Sequence, residues 1–280
     1  MSETQILVLG ALAGFTIFLG LPVGRLRNPA LSLKAFLSAT ATGVLIFLLW
    51  DVLSAGIEPV ESALSAVAVE NDGTWAHFIG LALVFSCAFA FGLLSLVYYD
   101  RWIGRQRQKS MLGPGSASAS EFPVASGMSA ARWLAVLIAM GIGLHNFAEG
   151  LAIGQSAAQD EISLALMLVI GFGLHNATEG FGIVAPLAGD ADRPTWRFLL
   201  LLGLIGGGPT FFGTLLGQIW VSEAVAVAFL ALAAGSILYV VIELLSVCRH
   251  FGAKTLVTWG ILLGILAGFA TDFILVAAGA

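Results

Sequence analysis

Eight apolar stretches, each close to the length of a bilayer crossing, divide this chain and leave little room for any other architecture. Read along the sequence they cover residues 5–24, 31–54, 76–99, 130–156, 161–187, 196–220, 222–247 and 254–277. About 20 residues of α-helix span a hydrocarbon core of about 30 Å. Backbone amides in that core must be satisfied within the segment, so runs of this length are expected to be helices. The composition agrees, with 59% hydrophobic and only 10% charged residues. The expected fold is an all-α polytopic membrane protein of eight transmembrane helices, forming a single domain over residues 1–280. The lipid bilayer is its surrounding, and no nucleic-acid partner is expected.

The charges set an orientation. The twelve basic residues are Arg25, Arg27, Lys34, Arg101, Arg105, Arg107, Lys109, Arg132, Arg193, Arg197, Arg249 and Lys254. All lie in or beside the connections after segments 1, 3, 5 and 7. The remaining connections and the termini carry acids instead, among them Glu3, Glu58, Glu61, Glu70, Asp72, Asp160, Glu161 and Glu223. The positive-inside rule then makes the odd connections cytoplasmic and both termini extracytoplasmic, as expected of a multi-pass protein of the cell membrane. A miscounted segment would scramble this separation. Segment 1 reads as a retained helix, since Arg25 and Arg27 follow the apolar run and no basic residue precedes it.

Two connections are long. Residues 101–129 begin with a basic run and continue through Gly-Pro-Gly-Ser-Ala-Ser-Ala-Ser, which reads as a flexible cytoplasmic loop meeting anionic headgroups at its basic end. Residues 55–75 read as an acidic external loop. Cys87 and Cys248 lie at different depths, so they are expected to pack singly and form no disulfide.

Within the apolar background, one decapeptide occurs twice. Gly141–Gly150 reads Gly-Ile-Gly-Leu-His-Asn-Phe-Ala-Glu-Gly and Gly171–Gly180 reads Gly-Phe-Gly-Leu-His-Asn-Ala-Thr-Glu-Gly, with seven of ten positions identical. Helical spacing puts His145, Asn146 and Glu149 on one face of helix 4, and His175, Asn176 and Glu179 on one face of helix 5. An acid at the centre of a membrane helix costs on the order of 2.5–3.5 kcal/mol to insert, so paired clusters imply a use. A short turn makes helices 4 and 5 antiparallel neighbours. Residues at equal depth then have numbers summing to roughly 320, which brings the six side chains together near mid-membrane. With a sum nearer 324, His145 meets Glu179 and Glu149 meets Asn176. Imidazole nitrogen, carboxylate and amide oxygen are ordinary donors to divalent first-row metals. A dication would also relieve repulsion between the two buried carboxylates. The expectation is a metal site between helices 4 and 5.

Other polar residues are candidates for a path. Asp51, near the outer end of helix 2, and His77, at the outer start of helix 3, are placed for an approach from outside. Glu243 lies about a turn from the cytoplasmic end of helix 7. Cys248 and His250 form a weak pair at that surface. Gly206–Pro209 predicts a kink in helix 6, and Pro22 and Pro186 shape the ends of helices 1 and 5.

The His-Asn-x-x-Glu-Gly of helix 4 resembles the signature of the ZIP (Zrt-, Irt-like protein) family of divalent-metal transporters. Helix 7 adds Ala233–Glu243, similar to the family's Gly-x-x-x-Tyr-Val-x-x-x-Glu. The family's eight helices, outward termini and long loop between helices 3 and 4 agree with the topology above. The resemblance implies a primary metal site of His145, Glu149, His175 and Glu179. It also implies a secondary site of Asn146, Glu149 and Asn176 bridged by Glu149, a role for Glu243 along the exit, and a homodimer. It further implies alternating access, with helices 1, 4, 5 and 6 around the pathway. Many members read His-Glu-x-x-His on helix 5, so Asn176 leaves this chain one carboxylate short for a second ion. The cytoplasmic loop also lacks the family's His-rich tract. The expected activity is movement of Zn²⁺, or of Fe²⁺, Mn²⁺ or Cd²⁺, into the cytoplasm as transported substrate, with no enzymatic reaction. The competing reading is an intramembrane zinc-dependent hydrolase, which the lack of His-Glu-x-x-His and of a further catalytic group disfavours.

Overall fold

Most helices match their expected spans, whereas the α-helix ends early in the first segment and runs on well past the second and third. The computed structural model describes residues 3–26, 31–70, 72–112, 128–158, 162–189, 192–219 and 222–278. Its helices are α1 (Glu3–Phe15), α2 (Leu31–Ala68), α3 (Trp75–Leu112), α4 (Ala130–Ala158), α5 (Ile162–Val184), α6 (Trp196–Ile219), α7 (Glu223–His250) and α8 (Lys254–Ala278). Eight spans among the described residues are long and apolar enough to cross a membrane. No strand occurs among them. Arg27, Asp160, Glu161 and the Gly-Pro-Ser-Ala stretch from 113 to 127 lie outside the described residues.

Three expectations need correction. The stretch from 55 to 68 is not a loop but the continuation of α2, which carries Glu58 and Glu61 and accommodates Pro59. The basic run from Arg101 to Lys109 belongs likewise to α3. Nothing obliges a helix to stop at the membrane surface when its continuation is polar. Segment 1 is not one α-helix: it changes to 3₁₀ turns at Thr16–Leu19 and Leu21–Arg25. Gly20 explains the local geometry, because a Cβ there would sit 2.4 Å from the carbonyl oxygen of Ala177 on α5. The tighter winding lets the chain press backbone to backbone against α5. Pro22 opens the second turn, and Pro186 lies in a 3₁₀ turn, Ala185–Gly189, that ends α5.

The helices sort into two groups. In one, α4 packs along α6, while α1 packs against both α6 and α5, and α5 against α4. In the other, α2 packs along α8 and α7, and α3 along α7. Glycines permit the closest of these approaches. A Cβ on Gly150 would meet the Thr210 carbonyl at 2.1 Å, and one on Gly213 the Phe147 carbonyl at 2.1 Å. Between helices in lipid, such small-residue packing supplies the contact that a hydrophobic driving force supplies in water. The groups meet mainly where α4 faces α7 and where α5 faces α2 and α8. A buried hydrogen bond crosses that seam, from the Ser236 hydroxyl on α7 to the Gly141 carbonyl on α4 at 3.1 Å.

Candidate metal centre

The repeated motif closes on itself. Glu149 Oε1 lies 2.8 Å from His145 Nε2, one turn earlier on α4, and 2.5 Å from His175 Nε2 on α5. One carboxylate oxygen therefore stands between two imidazoles whose ring centroids are 6.1 Å apart. Glu179 Oε1 is 3.8 Å from His145 Nε2. Asn176 Nδ2 is 3.5 Å from Glu149 Oε2. These pairings correspond to the register in which residue numbers sum to 324. His145, Asn146, Glu149, Asn176 and Glu179 are all buried, and His175 is 12% exposed.

Both amides are held by their nitrogens. Asn146 Nδ2 donates to the Gly206 carbonyl on α6 at 2.9 Å, and Asn176 Nδ2 donates to the Ala13 carbonyl on α1 at 3.1 Å. Each anchor fixes the amide, and each Oδ1 is left buried without a hydrogen-bond partner. Both oxygens of Glu179 are buried and unpartnered as well. His145 Nε2 is close to Glu149 but not aligned to hydrogen-bond with it. Buried acceptors left unpaired in an apolar interior are costly. A cation held among them would convert that cost into coordination.

The donor set fits such an ion. His145, Glu149 and His175 offer ligand atoms within 4.8 Å of one another. Two ligands at zinc-like bond lengths and a tetrahedral angle lie about 3.3 Å apart, so the 2.5 and 2.8 Å contacts need only spread by less than about 1 Å. Nitrogen and oxygen donors without thiolate suit several first-row dications.

The remaining candidates fall in different places. Asp51 is not at a helix end, since α2 continues to Ala68. It lines a cavity of about 90 Å³ between α2, α5 and α8, together with His175, Thr178 and Asp272. Asp272 on α8 escaped the sequence reading. It belongs to no motif, and its signal was simply a carboxylate inside an apolar span. Glu243 is half-buried on α7 and outside the His145–Glu149–His175 group. Its neighbour Leu244 packs where a side chain on Gly182 would project, about one turn beyond Glu179 along α5. His77 is not in the cavity: it pairs with Glu223 at 3.4 Å on an exposed rim. Cys248 is buried, with Sγ 3.7 Å from the Thr42 hydroxyl, while the His250 ring turns back to the Ser246 carbonyl. The two form no site. Cys87 is exposed on α3, not packed as expected. α6 remains helical through Gly206–Pro209. Pro209 has no N–H to offer the Ile205 carbonyl, and that oxygen rests against Gly143, where a Cβ would be 2.3 Å away.

A bundle of membrane-spanning helices around a buried His/Glu/Asn cluster defines a multi-pass membrane protein with a dication-binding interior. The family model described as ZIP Zinc transporter matches residues 104–275, more than half of the chain, and the chain belongs to this family. No curated protein matches the chain. It is a divalent-metal transporter.

Proposed function

We propose that the transported ion is Zn²⁺, held by His145, Glu149, His175 and Glu179, and carried across the cell membrane into the cytoplasm. The observation that carries this reading is the shared Glu149 oxygen between two imidazoles, ringed by unpartnered buried acceptors. Asn146 and Asn176 supply weaker oxygens beside Glu149, with one carboxylate too few to hold a second ion tightly. The basic connections face the cytoplasm and both termini face outside, in keeping with the segregation of charge.

Asp51 and Asp272 form the approach. They face the same cavity as His175, the most exposed of the paired cluster side chains. Two carboxylates there concentrate cations next to the site. Glu243 receives the ion on the opposite, basic side. The cluster and its anchors all belong to the group of α1, α4, α5 and α6, whereas Asp51, Asp272 and Glu243 belong to the other group. A site built within one group can move intact past the other, which is how alternating access operates here.

Zinc uptake into proteoliposomes tests the assignment. Glu149→Ala and His145→Ala are each expected to abolish uptake of radioactive zinc while the protein remains folded. Unchanged uptake in both variants removes these residues from the path. Flux in purified vesicles without organic substrate also separates transport from the hydrolase reading. Competition by Fe²⁺, Mn²⁺ and Cd²⁺ in the same assay orders the metals.

A further inference from the structure

On the face away from His145 and Glu149, α4 and α6 flank an open apolar groove of about 450 Å³. It is lined by Met140, Gly143, Leu144 and Phe147 of α4 and by Ile205, Pro209 and Phe212 of α6. The bare Gly143 and the pyrrolidine ring of Pro209 form its floor, and the longer side chains form its walls. The lining contains no charged residue, so a polar ligand has nothing to bind.

The helix register extends the groove to a charge. On α4 the stripe Arg132, Val136, Met140, Gly143, Phe147 follows helical spacing, and on α6 so does Arg197, Leu201, Ile205, Pro209, Phe212. Each arginine lies eight residues before the first groove residue of its stripe. At about 1.5 Å per residue that is about 12 Å, close to the depth of one leaflet's hydrocarbon, about 15 Å. Arg197 is exposed. Arg132 is steered toward α6, since its guanidinium donates to the Asp192 carbonyl at 3.3 Å and lies 6.0 Å from the Phe198 ring centroid. Both arginines thus lie in the first turn of their helices, about one leaflet's depth before the apolar slot.

We infer that this groove is a binding site for an anionic phospholipid of the basic-side leaflet, one acyl chain between α4 and α6 and the phosphate against Arg132 and Arg197. Guanidinium pairs with phosphate oxygens by charge-assisted hydrogen bonds, and the arginines add the surface attraction expected of basic residues near anionic lipid. α4 also carries His145, Asn146 and Glu149 of the metal cluster, and α6 carries the Gly206 anchor of Asn146. The lipid therefore lies against the moving group, but its binding does not depend on which ion is carried.

Native mass spectrometry of the full chain with dipalmitoyl phosphatidylglycerol tests the site, with dipalmitoyl phosphatidylcholine and soluble glycerol phosphate as controls. One phosphatidylglycerol is expected to survive delipidation, with phosphatidylcholine held far less and glycerol phosphate not at all. Arg197→Gln should lower its occupancy about fivefold, the effect of one basic residue near an anionic lipid. Met140→Trp, which fills the slot without touching the arginines, should lower it comparably. Equal retention of phosphatidylcholine overturns the proposal, as does unchanged occupancy in Met140→Trp. A shift of Met140→Trp from dimer to monomer with lipid retention unaltered would assign the groove to a second copy instead. Zinc uptake by Arg197→Gln reads the metal site separately, so a failed lipid site leaves the transport reading standing.

Discussion

A carboxylate oxygen shared by two imidazoles gives Glu149 its weight, but the two amides show how the site is held. Each asparagine spends its N–H on a backbone carbonyl of a neighbouring helix and leaves its oxygen buried without a hydrogen-bond partner. Asn176→Leu keeps the size, removes the oxygen, and leaves the Ala13 carbonyl with the Thr16 hydroxyl at 2.7 Å as a remaining partner. The variant should fold and bind zinc about 10–100-fold more weakly, the range seen when groups supporting a metal site are lost. Calorimetric titration of the purified protein checks this, and an unchanged affinity would mean that the amide oxygen contributes nothing. The six side chains could be read from sequence because duplication on antiparallel helices forces them to one depth. Their anchors could not. Every residue has a carbonyl, and only the fold selects Ala13 and Gly206. Asp272 went unread for another reason, since a single acid on α8 reveals its role only once α2 and α5 bring Asp51 and His175 beside it.

Among the helices, α4, which carries half of the cluster, packs most extensively against α6. Gly150 follows Glu149 directly, and a Cβ there would meet the Thr210 carbonyl at 2.1 Å, a backbone atom that cannot yield without α6 moving. Gly80, inside α3, has nothing within 4 Å of an added Cβ. The contrast gives opposite signs for one chemical change. Gly150→Ala should destabilise by about 1–3 kcal/mol, as overpacking does. Gly80→Ala should stabilise by up to about 1 kcal/mol through helix propensity. Thermal unfolding in detergent measures both, and equal effects would refute the close approach of α4 and α6. The number and type of helices were legible because the bilayer sets their length. The ends of α2 and α3 were not, because outside the bilayer local propensity and packing decide where a helix stops. That is why Asp51, taken for a residue near a helix end, stands well inside one.

At the scale of the whole molecule, the seam between the two helix groups is where the proposed alternating access would act. Across it runs the Ser236 hydroxyl to the Gly141 carbonyl, in a contact so close that a Cβ on Gly141 would lie 2.4 Å from Val240 Cγ2. The single hydroxyl proton is shared between that carbonyl and the Ala233 carbonyl on its own helix, 2.8 Å away. If the groups slide, Ser236 loses one acceptor and keeps the other, so separation strands no buried donor. A net hydrogen bond contributes about 0.5–1.5 kcal/mol, enough to bias this arrangement over its alternative without locking it. Ser236→Ala should therefore shift the population away from this arrangement by about 2–10-fold, the equivalent of that energy. Spin labels on the exposed positions Leu94 of α3 and Phe212 of α6, one in each group, would report the shift as a redistribution of distances. Identical distributions in the variant and the unsubstituted protein would show that the hydrogen bond has no part in holding the groups together, leaving shape at Gly141 and Val240 as the contact that sets the seam.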